Sequence, residues 1–164
     1  MREGYSDFIE VGMAQFAAAT APTRVISYSL GSCVALVLYD RRVCVGGLAH
    51  VMLPGSSSQQ CSLPAKFASH ALDALVAEME KLGARRFRLT ARLIGGASLF
   101  NNRNGSSAPS MGERNATALR ERLTQARIRL VAEDTGGDFA RTVTLTTEDG
   151  AVKIRTAARG EYEL

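Results

Sequence analysis

Apolar and polar residues recur along this chain with two periods, and the period changes from segment to segment. Val34 to Tyr39 is an unbroken aliphatic run, which suits a strand buried on both faces. Asp40-Arg41-Arg42 breaks it, and Val43 to Leu53 resumes an apolar run, so the pair reads as a hairpin. Arg24 to Ser29 reads as a further strand. It follows an alanine-rich stretch, residues 1–23, that ends on the turn signal Ala21-Pro22-Thr23. From Arg86 to Leu93 the alternation is strict. Phe87, Leu89, Ala91 and Leu93 lie on one face, and Arg86, Arg88, Thr90 and Arg92 on the other. This predicts a half-buried strand with an arginine-lined outer face, ended by Gly95-Gly96.

Elsewhere the period is helical. Ser62-Leu63-Pro64 opens a helix whose stripe is Ala68, Leu72, Leu75, Met79 and Leu82, with Gly83 as its stop. A second helix over 113–126 presents Ala116, Leu119, Leu123 and Ala126. Ile128 to Ala132 reads as a strand. Thr142 to Thr147 and Ala151 to Thr156 form a last hairpin about Glu148-Asp149-Gly150. Pro54 to Ser58 and Asn101 to Ser110 read as loops. The predicted fold is mixed α/β and strand-rich with two principal helices. Two hairpins exclude an all-parallel doubly wound sheet. No internal repeat or linker divides the chain, so residues 1–164 are expected to form one domain.

Composition narrows the class. At 46% hydrophobic and 22% charged residues the chain is globular rather than disordered. Its start, Met1 to Asp7, lacks the apolar run of an export signal, and no apolar stretch is long enough to span a bilayer. Three cysteines cannot all pair within the chain, and without a leader they point to a reducing cytoplasm. No closely spaced Cys or His pair supplies a zinc site, so no metal is expected. The net charge of +4 is unevenly placed. Residues 85–129 hold ten arginines against Glu113 and Glu121, a net +8, which leaves −4 for the rest. A solvated basic surface explains this better than nucleic-acid binding, because no stacking aromatic or nucleic-acid motif accompanies it.

Among the cysteines, Cys44 lies within a strand pattern and Cys61 in the polar approach to a helix. Cys33 differs. It follows Leu30-Gly31-Ser32, a glycine turn ahead of a buried strand, where sulfur can be exposed on a rigid backbone with free N–H groups nearby. A lone cysteine is usually a small buried hydrophobe. His50, however, closes the partner strand of the same hairpin, and antiparallel pairing brings it to the same end as Cys33. Imidazole beside a thiol can take its proton and supply thiolate at neutral pH. A third group often orients the imidazole, and Ser27, Ser29 and Asp40 are the nearby choices. His70 lies off the stripe of the first helix and reads as a surface residue.

Several ordered blocks of the chain resemble the chemoreceptor glutamine deamidases, the CheD family. They are Leu30-Gly31-Ser32-Cys33-Val34-Ala35, Val45 to Pro54, Gly95 to Phe100, Gly112-Glu113-Arg114-Asn115 and Ala132 to Gly137. The resemblance implies that Cys33 is the nucleophile and His50 the general base and acid. It puts the third catalytic position, usually threonine, at Ser27, where a hydroxyl is kept but the rotamer-restricting methyl is lost. Ser69-His70 departs from the Asp-Thr often found there. The implied fold is a layered α/β/β sandwich like the cytotoxic necrotizing factor deamidase domain. The implied reaction is hydrolysis of receptor glutamine side chains to glutamate through a thioester, without a cofactor. The implied partners are the cytoplasmic domains of methyl-accepting chemotaxis receptors and a CheC-type phosphatase. Regulatory binding to that phosphatase, with little catalysis, is the alternative function.

Overall fold

The computed structural model describes residues 7–55, 62–100 and 107–164. In chain order the strands are β1 (Asp7–Glu10), β2 (Phe16–Thr20), β3 (Thr23–Leu30), β4 (Val34–Asp40) and β5 (Val45–Val51). Helix α1 (Ala68–Lys81), β6 (Thr90–Gly95) and helix α2 (Met111–Ala126) follow. The chain then forms β7 (Arg129–Thr135), β8 (Arg141–Thr146), β9 (Val152–Thr156) and β10 (Gly160–Glu163). The strands make two five-stranded sheets, ordered β1-β3-β8-β9-β10 and β2-β5-β4-β6-β7.

Three layers result, as the α/β/β expectation requires. Val34, Leu36 and Leu38 of β4 pack with Ala49 and Val51 of β5 against Leu72, Leu75 and Met79 of α1 and Leu119 and Leu123 of α2. The alternate residues Ala35, Val37, Leu48 and Ile94 face the other sheet and meet Val25, Val143, Leu145 and Ile154. The continuous apolar runs of β4 and β5 are thus explained: both faces of the central sheet are covered. His50 and Ser27 have the parity of the inter-sheet layer, which is where the site forms.

The structure corrects several expectations. The alanine-rich start contributes β1 and also β2, whose run of alanines shows little alternation. Lys66 and Leu53 hold a 3₁₀ turn, Pro64–Lys66, apart from α1, because Met52 and Leu53 N–H both donate to Lys66 O and Ala68 N–H donates to Leu53 O. Leu82 caps α1 and is exposed rather than buried. Helix α2 starts at Met111, two residues early, because Ser110 and Glu113 form a reciprocal capping box.

The largest difference is the arginine-faced strand. Arg86–Arg88 is a 3₁₀ turn, Phe87 is 83% exposed, and β6 begins only at Thr90. The cause is Asp40, a fully buried carboxylate that accepts from Arg88 Nε and from Arg85 N–H, pulling this segment out of extended geometry. Beyond it, the second face of β6 is only partly solvated. Ile94 lies in the inter-sheet core and Arg92 donates to Gly150 O. The basic segment is also partly neutralised from elsewhere. Asp73 pairs with Arg86 and Arg122, and Glu133 with Arg120. Arg103, Cys61 and Ser56 to Ser58 lie outside the described residues.

Candidate active site

The site begins with the register of the central hairpin. Ala35 of β4 lies opposite His50 of β5. Cys33 is two residues before Ala35, on the same side of the chain and diagonal to His50. Diagonal neighbours of this kind are about 7 Å apart, within reach of long side chains. Both residues line one cleft of about 330 Å3, with Val11, Gly12, Met13, Tyr28 and Ser29. Ser27 enters from β3 of the other sheet. The antiparallel end-to-end argument from sequence therefore brings Cys33 and His50 together, and the sandwich adds Ser27. Of the other two candidates for the third group, Ser29 lines the cleft but its N–H turns to Thr142 Oγ1. Asp40 lies at the opposite end of β4 and is bound by Arg88.

The hydrogen bonds of Ser27 settle which nitrogen of His50 is protonated. Ser27 is fully buried, with Oγ 2.8 Å from Val11 O and 2.8 Å from His50 Nδ1. A hydroxyl has one proton, and a carbonyl can only accept. The proton therefore goes to Val11 O, and Ser27 Oγ accepts from Nδ1–H. Nε2 is left unprotonated, the tautomer a general base needs. The backbone of His50 is fixed as well. Its N–H donates to Gln15 O, and its carbonyl accepts from Ala14 N–H.

The turn that carries Cys33 is held from three sides. Gly96 N–H donates to Cys33 O and Ala97 N–H to Gly31 O, each at 2.8 Å. Gly95 has φ +120° and Gly96 φ +66°, and a β-carbon on Gly95 would run into Cys33 O. Only glycine permits both this backbone conformation and this approach. The Gly95-Gly96 signal, read from sequence as a strand end, is thus a shelf under Cys33. Gly136 N–H donates to Gly95 O and Ser98 N–H to Gly137 O, so the block from Ala132 to Gly137 supports that shelf. Asn115 of α2 was not singled out as a site residue, yet its amide donates to Ser32 O and Met52 O. The sequence carries a signal for it: a polar residue four before Leu119 and eight before Leu123, on a buried stripe.

Electrostatically the pair is neutral at rest. Burial pushes the Cys33 thiol above its ordinary range, and its own backbone N–H only partly offsets this. Burial likewise pushes the His50 imidazole below its ordinary value, with the Val11 carbonyl opposing. Desolvation disfavours both charged forms, so thiol and neutral imidazole coexist until a reaction needs the proton moved. Cys44, in turn, sits in a tight turn at φ +51°, not in a strand. His70 is half-buried, edge-on to Phe67. Among the described residues no three His, Cys, Asp or Glu side chains are gathered as a metal site, and no helix is long and apolar enough to cross a membrane.

The chain is also similar to known proteins. Residues 52–156 match the family CheD, described as CheD chemotactic sensory transduction. The chain is 43% identical over 157 residues to a protein of Syntrophomonas wolfei named probable chemoreceptor glutamine deamidase CheD. The match covers 95% of this chain and 98% of that protein. A protein of the same name from Clostridium botulinum strain Hall is also 43% identical, over 95% of this chain and 97% of its own length. Both alignments are long enough to take in β3, β4 and β5 as well as the region matched by the family. The chain belongs to the CheD family.

Proposed function

We propose that this protein hydrolyses glutamine side chains of methyl-accepting chemotaxis receptors to glutamate, acting through Cys33, His50 and Ser27. The observation that carries the reading is the hydrogen-bonded chain from Val11 O through Ser27 Oγ to His50 Nδ1, which leaves Nε2 free in the cleft that holds Cys33. The names of the full-length relatives supply the substrate class.

In this reading the carboxamide enters the cleft and His50 Nε2 takes the Cys33 proton as sulfur attacks the amide carbon. An S–C bond forms and the carbonyl electrons move onto oxygen, which N–H groups of the nucleophile turn receive. The tetrahedral intermediate collapses, the C–N bond breaks, and His50 returns its proton to the departing nitrogen as ammonia leaves. Water then gives a proton to His50 and its hydroxide to the thioester carbon. The S–C bond breaks, the thiolate regains the proton, and glutamate is released. The sum is glutamine plus water giving glutamate plus ammonia, with no redox change and no cofactor required. During each step in which His50 is protonated, Ser27 accepts from Nδ1–H and keeps the ring aimed.

Mass spectrometry of a receptor cytoplasmic fragment tests this directly. Each converted glutamine adds about one dalton, because NH2 is replaced by OH. Wild type is expected to produce the shift and Cys33→Ala to lose it. A fragment left unchanged by wild type, or converted equally by Cys33→Ala, rejects the reading.

A further inference from the structure

We propose that Asn115 is a positioning residue for this reaction, setting the Cys33 N–H that receives the oxyanion; the inference rests on the deamidase reading above. Asn115 is fully buried near the start of α2. Its amide nitrogen donates at 3.0 Å to Ser32 O and at 2.9 Å to Met52 O. The first carbonyl belongs to the residue before the nucleophile. The second lies two residues beyond the base. One side chain thus ties together the two segments that carry Cys33 and His50.

The bond to Ser32 O does more than brace the turn. The Ser32 carbonyl and the Cys33 N–H belong to one planar peptide unit and point in opposite directions. Drawing the carbonyl toward α2 turns the Cys33 N–H away from α2. The neighbouring carbonyls are held too, Gly31 O by Ala97 N–H and Cys33 O by Gly96 N–H. Three successive carbonyls are therefore tied to the scaffold, while the N–H groups of Ser32 and Cys33 donate to none of the described residues. Unused donors on a turn fixed through its acceptors are what an oxyanion site requires.

A second observation argues against a merely space-filling role. Asn115 Oδ1 is buried and has no hydrogen-bond partner among the described residues. Such an oxygen costs stability that an apolar side chain of similar size would not. The benefit of asparagine here lies in its two donors.

The test separates positioning from structure. Asn115→Asp keeps the side-chain shape and removes the paired donors. In the receptor-fragment assay kcat is expected to fall about 100-fold with KM within about twofold of wild type. Alkylation of Cys33 by iodoacetamide builds no oxyanion and is expected to stay within about twofold of wild type. An unchanged kcat, or alkylation falling in step with kcat, overturns the proposal. A wild type that leaves glutamine intact overturns the deamidase reading instead, before any variant is compared. Should Asn115→Asp not fold, wild type is crystallised with a receptor peptide whose glutamine carboxamide is replaced by an aldehyde. The thiol adds across the C=O bond, its sulfur to carbon and its proton to oxygen. That oxygen within about 3 Å of Cys33 N supports the proposal, and an oxygen directed elsewhere overturns it.

Discussion

The β4–β5 hairpin carries a half-buried cysteine at each end, and the two ends are built oppositely. Cys33 precedes β4 and Cys44 precedes β5, so antiparallel pairing places them at opposite ends of the same sheet. At the Cys44 end the thiol, the buried carboxylate and the tyrosine hydroxyl are all occupied. The sulfur of Cys44 lies 3.5 Å from Glu148 O and 3.8 Å from Arg41 O, and the single thiol proton can go to either. Asp40 accepts from Arg42 N–H, Arg85 N–H and Arg88. Tyr39 donates to Thr147 O. At the Cys33 end the carbonyls are occupied, but among the described residues two N–H groups and one imidazole nitrogen have no partner. A reactive thiol is thus distinguished less by residue type than by which neighbouring donors and acceptors the fold leaves unused.

The sharpest way to break this comparison is to delete each thiol in turn. Cys33→Ala is expected to lower receptor deamidation at least about 1,000-fold, because the covalent route is removed. Cys44→Ala is expected to remain within about twofold. Loss of activity in Cys44→Ala, measured by the same mass shift in a folded protein, would erase the distinction between the ends.

The next largest effect concerns the closed end and stability alone. Asp40 is inaccessible to solvent, and Arg88 keeps 20% of its side chain exposed. Arg88→Met leaves the carboxylate without its cation and is expected to cost about 3 kcal/mol, roughly a hundredfold in the folding equilibrium. The low end of the range applies because Arg88 stays partly in water. Burial alone would raise the Asp40 pKa, but Arg88 and the two backbone N–H groups more than offset it, and the net shift is downward. The folded state therefore binds the proton less readily than the unfolded chain. This contribution is full above the ordinary carboxylate value of about 3.9 and fades as pH falls through the lower folded value. Urea unfolding at pH 7 and pH 3 should show the gap between wild type and Arg88→Met shrinking in acid. An equal gap at both pH values would refute the assignment. The same pairing changes the view of the arginine-rich segment. Arg86 and Arg88 hold Asp73 and Asp40 within this chain rather than standing free for an acidic partner.

What was legible in the sequence follows the same division. The runs of β4 and β5 could be read because strands buried on both faces need consecutive apolar residues. Cys33 and His50 could be joined because a hairpin fixes which ends meet. Ser27 could not be chosen over Ser29 and Asp40 from spacing alone. That choice depends on a second sheet, whose approach no local period encodes. It was the family resemblance that pointed to Ser27. The arginine alternation over 86–93 failed for a related reason. Period-two patterning describes exposure along a strand, and it cannot register one buried aspartate from β4 that turns the backbone. Glycines 95 and 96 looked like punctuation because their use, a close approach to Cys33 O, is a tertiary fact.

Within the open end, Ser27 provides a finer test. Ser27→Ala removes the acceptor for Nδ1–H and is expected to lower kcat between about 10- and 100-fold, with little change in KM. Ser27→Thr keeps the hydroxyl and restricts its rotamer, so activity is expected at or above the wild-type level. Steady-state kinetics on the receptor fragment would measure both. An alanine variant as active as wild type would show that packing alone holds the imidazole.

The smallest effect concerns the resting charge of the pair. A preformed thiolate–imidazolium pair would alkylate at a rate that levels off well below pH 8, since sulfur would already be ionised. Burial raises the Cys33 pKa and lowers that of His50, so this protein is expected to behave oppositely. A raised thiol pKa means less thiolate at pH 7. Iodoacetamide modification of the Cys33 peptide, followed by mass spectrometry, should therefore run a few-fold slower at pH 7 than that of an ordinary thiol with a pKa of about 8.5. It should still be climbing at pH 9. Neutral His50 cannot stabilise a standing negative charge on sulfur, but it can accept the proton as the S–C bond forms. A plateau near pH 7 would reverse that order, making proton transfer precede substrate binding and leaving His50 to act first as an acid.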